Sequence, residues 1–102
     1  MKGKFLPIGT VVLLKNGKKK VMINSYLIIT NSNDSKIFEY GGCLYPEGVL
    51  DSKLSIGFNH SDIETIVFNG FENEEYKQVN ELLLKNENDI RNKLLQEKKT
   101  NE

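Results

Sequence analysis

The chain has no tryptophan and only one cysteine, one histidine and one arginine in 102 residues. With Cys43 alone, no disulfide forms within the chain, which fits a reducing compartment. With one imidazole and one thiol, the soft ligands for a metal centre are too few, and no metal or other cofactor is expected. No apolar run reaches the ~18 residues of a membrane span, and Leu6 to Leu14 is broken by Pro7 and Gly9. The start, MKGKFLPIG, lacks a charged-then-apolar leader with a cleavage site, so the expected location is the cytoplasm. Net charge is also missing: 14 basic and 14 acidic side chains cancel, leaving no global pull toward nucleic acid or membrane.

What is present centres on Thr10 to Asn24, TVVLLKNGKKKVMIN. Asn16-Gly17 is a strong hairpin signal, because a type I′ turn needs positive φ at both central residues. That turn pairs Lys15 with Lys18, Leu13 with Lys20, Val12 with Val21 and Val11 with Met22. Val12, Leu14, Val21 and Ile23 then share one face, the expected core, and Val11, Leu13 and Met22 share the other. A hairpin apolar on both faces is covered on both or leaves a patch for a partner. The charges are unevenly placed: every one before Asp34 is a lysine, so the remainder is acidic.

Along the chain, Phe5, Leu6 and Ile8 are expected to tuck under a sheet. The second hairpin arm runs to Thr30 with a bulge or bend at Asn24-Ser25, and Asn31 to Ser35 forms a turn. Lys36 to Tyr45 reads as the next strand, with Gly41-Gly42 marking a kink or a close approach of another backbone. Tyr45-Pro46-Glu47-Gly48 has a type I turn pattern. Leu54 to Phe58 reads as a short strand. Ser61, with Glu64 three residues on, caps a turn of helix before a last strand that Gly70 ends. From Asn73, a cap with Glu74 and Glu75 behind it, the spacing of Tyr76, Val79, Leu83, Ile90 and Leu94 predicts an amphipathic helix.

These parts predict an α+β, mainly β domain: a small SH3-like antiparallel barrel, or a curled sheet, of about five strands followed by a C-terminal helix. Residues 1–72 form the β part, and 73–102 the helix with its tail, packed on the same domain. The helix, near 37 Å long at 1.5 Å per residue, exceeds what covering one sheet requires. Its distal residues Ile90, Leu94 and Leu95 are therefore candidates for contact with another protein or a second copy.

Catalytic chemistry finds little footing. His60 has Asp62 and Glu64 nearby but reads as a turn histidine, and Cys43 between Gly42 and Leu44 reads as a packed thiol. Lys18-Lys19-Lys20 follows a glycine, yet the G-x-x-x-x-G-K-[ST] phosphate-binding spacing is absent. Nucleic-acid binding would want exposed aromatics among basic residues. Tyr26, Phe38 and Tyr40 qualify, while Glu39 and the acidic second half count against it.

Taken as a set, Leu6-Pro7-Ile8-Gly9-Thr10 running into Val11 to Lys15, Cys43-Leu44-Tyr45-Pro46-Glu47-Gly48, Phe58-Asn59-His60 and Ile66-Val67-Phe68-Asn69-Gly70 resemble one small Firmicute family. It is catalogued as domain of unknown function 4176, and the likeness covers about residues 5 to 72. Members tend to be encoded near type VII secretion genes and toxins with LXG-type targeting domains. The resemblance therefore implies a non-enzymatic accessory, chaperone or targeting factor that binds a secretion substrate. The alternatives are an immunity-like inhibitor of a toxin domain and a small nucleic-acid-binding barrel. The expected protein-binding residues are Val11, Leu13 and Met22, the turn Tyr45, Pro46, Glu47 and Gly48, His60, and Ile90, Leu94 and Leu95. No catalytic residue carries over from the family.

Overall fold

A computed structural model of the chain describes residues 3–29, 36–51 and 55–100. Five strands, β1 (Val11–Leu14), β2 (Lys20–Ile29), β3 (Ile37–Tyr45), β4 (Ile56–Phe58) and β5 (Ile63–Phe68), precede one long helix, α1 (Glu74–Thr100). The strands form a single antiparallel sheet in the order β4-β3-β2-β1-β5. The two ends of that order do not pair, so the sheet curls without closing. Of the two expected architectures the curled sheet is the one present, and the fold is α+β and mainly β.

The hairpin register is the one its pattern predicts, with Val11 opposite Met22, Val12 opposite Val21 and Leu13 opposite Lys20. The turn differs. Asn16 takes φ +64, but Gly17 is not left-handed, and its N–H donates to the Leu14 carbonyl at 2.9 Å. Pairing with β2 stops at Leu13, while on the other edge of β1 pairing runs on to Leu14 with Ile63 of β5, and the Lys15 N–H donates to the Asp62 carbonyl. The bulge falls where expected, between Ile23 and Ser25.

The second turn also differs. It closes through the Gly48 N–H donating to the Leu44 carbonyl at 2.8 Å, one residue wider than a type I turn, with Tyr45–Pro46 cis and Gly48 at φ +82. Between the two, Gly42 sits so close to β2 that a Cβ there would lie 2.5 Å from the Met22 carbonyl oxygen. Asn31 to Ser35 and Leu54 lie outside the described residues. The helical turn before β5 is a 3-10 turn, His60–Asp62. Its cap is Asn59, whose N–H donates to Asp62 at 2.8 Å, two residues earlier than the Ser61–Glu64 pairing.

The core lies between one face of the sheet, the N-terminal segment and α1. Phe5, Leu6, Val12, Val21, Ile23, Leu27, Tyr40 and Phe58 are buried together, and Leu14, Leu83 and Ile90 pack against them. Phe5 and Leu6 enter no strand. Buried backbone must still be hydrogen-bonded, and here side chains do it. The Phe5 N–H donates to Asn80 at 2.8 Å, and the Phe5 carbonyl accepts from the Tyr76 hydroxyl. The Leu6 N–H donates to the Tyr40 hydroxyl at 2.9 Å, and the Leu6 carbonyl accepts from Tyr26 at 2.6 Å. Among the described residues no buried side-chain polar atom lacks a partner.

α1 starts as predicted, with the Tyr76 N–H donating to Asn73 at 2.9 Å. Its inward face is Tyr76, Asn80, Leu83, Asn86, Glu87, Ile90, Arg91 and Leu94, all at least half-buried. Val79 is corrected outward, and Asn80 takes its place because it holds the Phe5 N–H. Ile8 is likewise on the surface. The distal helix does not project free of the sheet at Ile90, which packs against the core; Leu95 faces out.

Candidate functional site

The face of the sheet opposite the core carries a cross-strand row: Phe68 on β5, Val11 on β1, Met22 on β2 and Cys43 on β3. Cys43 is buried under the loop that follows Gly48. Beside it the row opens into an apolar groove of about 380 Å³. Val11 and Met22 are its floor, Val67 and Phe68 one wall, and Tyr45 and Lys20 the opposite rim, with Gly9 at one end.

β5 supplies two side chains where one would be expected, for a local reason. Val12 pairs with Ile66 and Val11 with Phe68, so Val67 is an extra, bulged residue. A bulge re-aims the chain, and both Val67 and Phe68 line the groove. They are largely solvent-exposed: Phe68 is 62% accessible, and Phe71, just beyond the strand, 78%. Covering the exposed part of Phe68 alone is worth about 2–3 kcal/mol.

The charge around the groove is one-sided. Lys20 lies on its rim, and Lys15 and Lys18 are exposed at the same end of the hairpin. None of the three has an ion-pair partner among the described residues. Lys19 pairs with Glu47 at 2.6 Å, and that hydrogen bond holds the Glu47 carboxyl below its usual range.

The expected binding residues separate into three places. Val11, Met22 and Tyr45 come together at the groove. Leu13 is half-buried one row away, opposite Lys20 and Thr65. Pro46 and Glu47 are exposed beside Tyr45, and Gly48 folds back on Leu44. His60 is on the core side, where its N–H donates to Glu39 at 2.7 Å and its Nδ1 lies 3.2 Å from the Tyr40 hydroxyl. Ile90, Leu94 and Leu95 are on α1, away from the groove. Val67, Phe68 and Lys20 were not expected at the site. The unbroken apolar run Ile66-Val67-Phe68 was visible, but that it forms an edge beside β1 depends on strand order.

The hydroxyls of the core side are poor acids. Burial pushes Tyr26 up to about 12, with smaller help from Tyr76, and pushes Tyr40 up as well. The groove itself gathers apolar surface and one cation. Among the described residues no group of three or more His, Cys, Asp or Glu side chains converges.

A family profile described as Domain of unknown function (DUF4176) matches residues 5–79. The chain belongs to the DUF4176 family. The matched stretch runs from Phe5 through the whole sheet to Val79 on α1, so both the groove and the tyrosine clamp on Phe5 and Leu6 belong to the part this DUF4176 member shares with its family. Comparison with curated proteins and with solved structures finds no match. No helix among the described residues is long and apolar enough to cross a membrane.

Proposed function

We propose that this DUF4176 protein is a non-enzymatic protein-binding module, an accessory or targeting factor for an exported toxin of the LXG type. The observation that carries the binding reading is the groove of β1, β2, β3 and β5, with Phe68 in its wall largely open to solvent. A chain of this size leaves a large aromatic exposed in an apolar groove at a functional surface, since uncovered apolar patches favour aggregation. The resemblance to proteins encoded beside type VII secretion genes supplies the class of partner. Work in the cytoplasm, before export of the partner, follows from the same reading.

The test is co-expression with the neighbouring LXG-type protein, followed by purification and mass measurement in solution. The expected result is a stable complex that Phe68→Asp abolishes while the variant itself stays folded. Phe68 is exposed, so its replacement should change stability by less than about 0.5 kcal/mol. A chain that stays alone beside the LXG-type protein would overturn the secretion reading. Baits truncated to the export domain or to the C-terminal toxin domain separate a targeting factor from an immunity-like inhibitor.

A further inference from the structure

We infer that the groove receives an amphipathic α-helix of the partner, laid across the sheet with carboxylates along the side that meets Lys20. The inference rests on the protein-binding reading and adds the shape and charge of what binds.

Shape comes first. The wall at Phe68 on β5 and the rim at Tyr45 on β3 are separated by β1 and β2, three strand spacings in all. At 4.7–4.9 Å per spacing the β5 and β3 backbones that carry them are about 14 Å apart. A helix with its side chains is about 10–12 Å across, and its apolar stripe would fall on Val11 and Met22. An added strand fits less well. The free edge of β5 carries two bulges in six residues, at Glu64 between its pairings with Leu14 and Leu13, and at Val67 between those with Val12 and Val11. Such interruptions spoil the even ladder that strand addition needs.

Charge sets the orientation. The rim cation Lys20 has no ion-pair partner among the described residues, Lys15 and Lys18 are exposed at the same end of the hairpin, and Glu47 is already matched by Lys19. A lysine-flanked helix would meet an unpaired cation at that rim. An acid-flanked one gains attraction and is steered to the correct face.

The test uses the full chain, isotope-labelled for NMR, and two synthetic peptides of about 18 residues. Both carry leucines at i, i+3, i+4 and i+7; one is flanked by glutamates and the other by lysines. The expected result is that the glutamate peptide shifts the Val11, Met22, Val67 and Phe68 amides. Lys20→Glu then weakens it by about three- to tenfold and improves the lysine peptide in return. Equal binding of both peptides, or indifference to Lys20→Glu, overturns the charge assignment. Failure of both peptides to shift the groove overturns the helix as occupant. A co-expressed LXG complex that still breaks on Phe68→Asp would in that case leave the binding reading standing. A homodimer that Phe68→Asp dissociates overturns the inference in favour of a second copy, whose α1 shows Val79 and Leu82 outward.

Discussion

Replacing Tyr40 by phenylalanine removes one oxygen and disconnects two partners. The Tyr40 hydroxyl accepts from the Leu6 N–H at 2.9 Å in a buried setting and lies 3.2 Å from His60 Nδ1. The phenol oxygen has two lone pairs and one proton, so it serves the Leu6 N–H and still bonds the His60 ring nitrogen. In Tyr40→Phe the ring still stacks on Phe58, 5.5 Å between centroids, so little packing is lost. The Leu6 N–H, however, loses its acceptor in a buried setting. An unsatisfied buried donor costs about 1–3 kcal/mol, and the lost bond to His60 adds about 1 kcal/mol. The expected loss is about 2–4 kcal/mol, a large part of a small domain's margin. Urea unfolding at neutral pH, followed by circular dichroism, should show a lower midpoint at unchanged slope, and heating a fall in Tm of about 4–8 °C per kcal/mol. Tyr26→Phe is the control. It removes a donor to the Leu6 carbonyl, and a carbonyl tolerates under-satisfaction better than an N–H, so its cost should be nearer 1 kcal/mol. A Tyr40→Phe protein within about 0.5 kcal/mol of the parent, or less affected than Tyr26→Phe, would refute the role given to the clamp.

Raised pH should unfold the protein through the same hydroxyls. Both Tyr26, at about 12, and Tyr40 titrate above the ordinary value in the fold. Between about pH 10 and 12 the unfolded chain therefore binds fewer protons than the native one, and stability falls as pH rises, by up to about 1.4 kcal/mol per unit for each tyrosine. Urea midpoints and tyrosinate absorbance across that range check it. Gly42→Ala should cost about 1–3 kcal/mol as β2 and β3 are forced apart around the Met22 carbonyl, read as a lower Tm. On α1, Leu83→Ala should cost about 2 kcal/mol and Val79→Ala less than about 0.5 kcal/mol. That contrast in urea midpoints verifies which face is inward.

Local and near-neighbour features of this fold were legible in the sequence. The pairing of Val11 with Met22, the bulge near Asn24, the tight approach at Gly42 and the Asn73 cap each depend on periodicity or on a few adjacent residues. What failed depends on residues far apart in the chain. The backbone beside the Asn16-Gly17 turn is tied to Asp62, 47 residues after Lys15, and Asn80 rather than Val79 faces inward, where it meets Phe5. The site divides in the same way. Its floor, Val11 and Met22, came from the two-faced hairpin, whereas its wall, Val67 and Phe68, requires knowing that β5 lies beside β1. The phenols read as candidate nucleic-acid contacts, Tyr26 and Tyr40, are instead engaged with the backbone of Leu6.

The clamp on Phe5 and Leu6 has a consequence for how the protein is made. Its holders are Tyr26 and Tyr40, and then Tyr76 and Asn80, which lie 71 and 75 residues after Phe5. At synthesis rates of about 5–20 residues per second, the first segment waits on the order of 4–15 s for its last partners. During that interval the Phe5 backbone lacks its two helix partners, and the sheet lacks the part of its core that α1 supplies. The nascent chain thus presents two apolar surfaces at once, the groove and the core face that α1 will cover, and only the second is closed when α1 arrives.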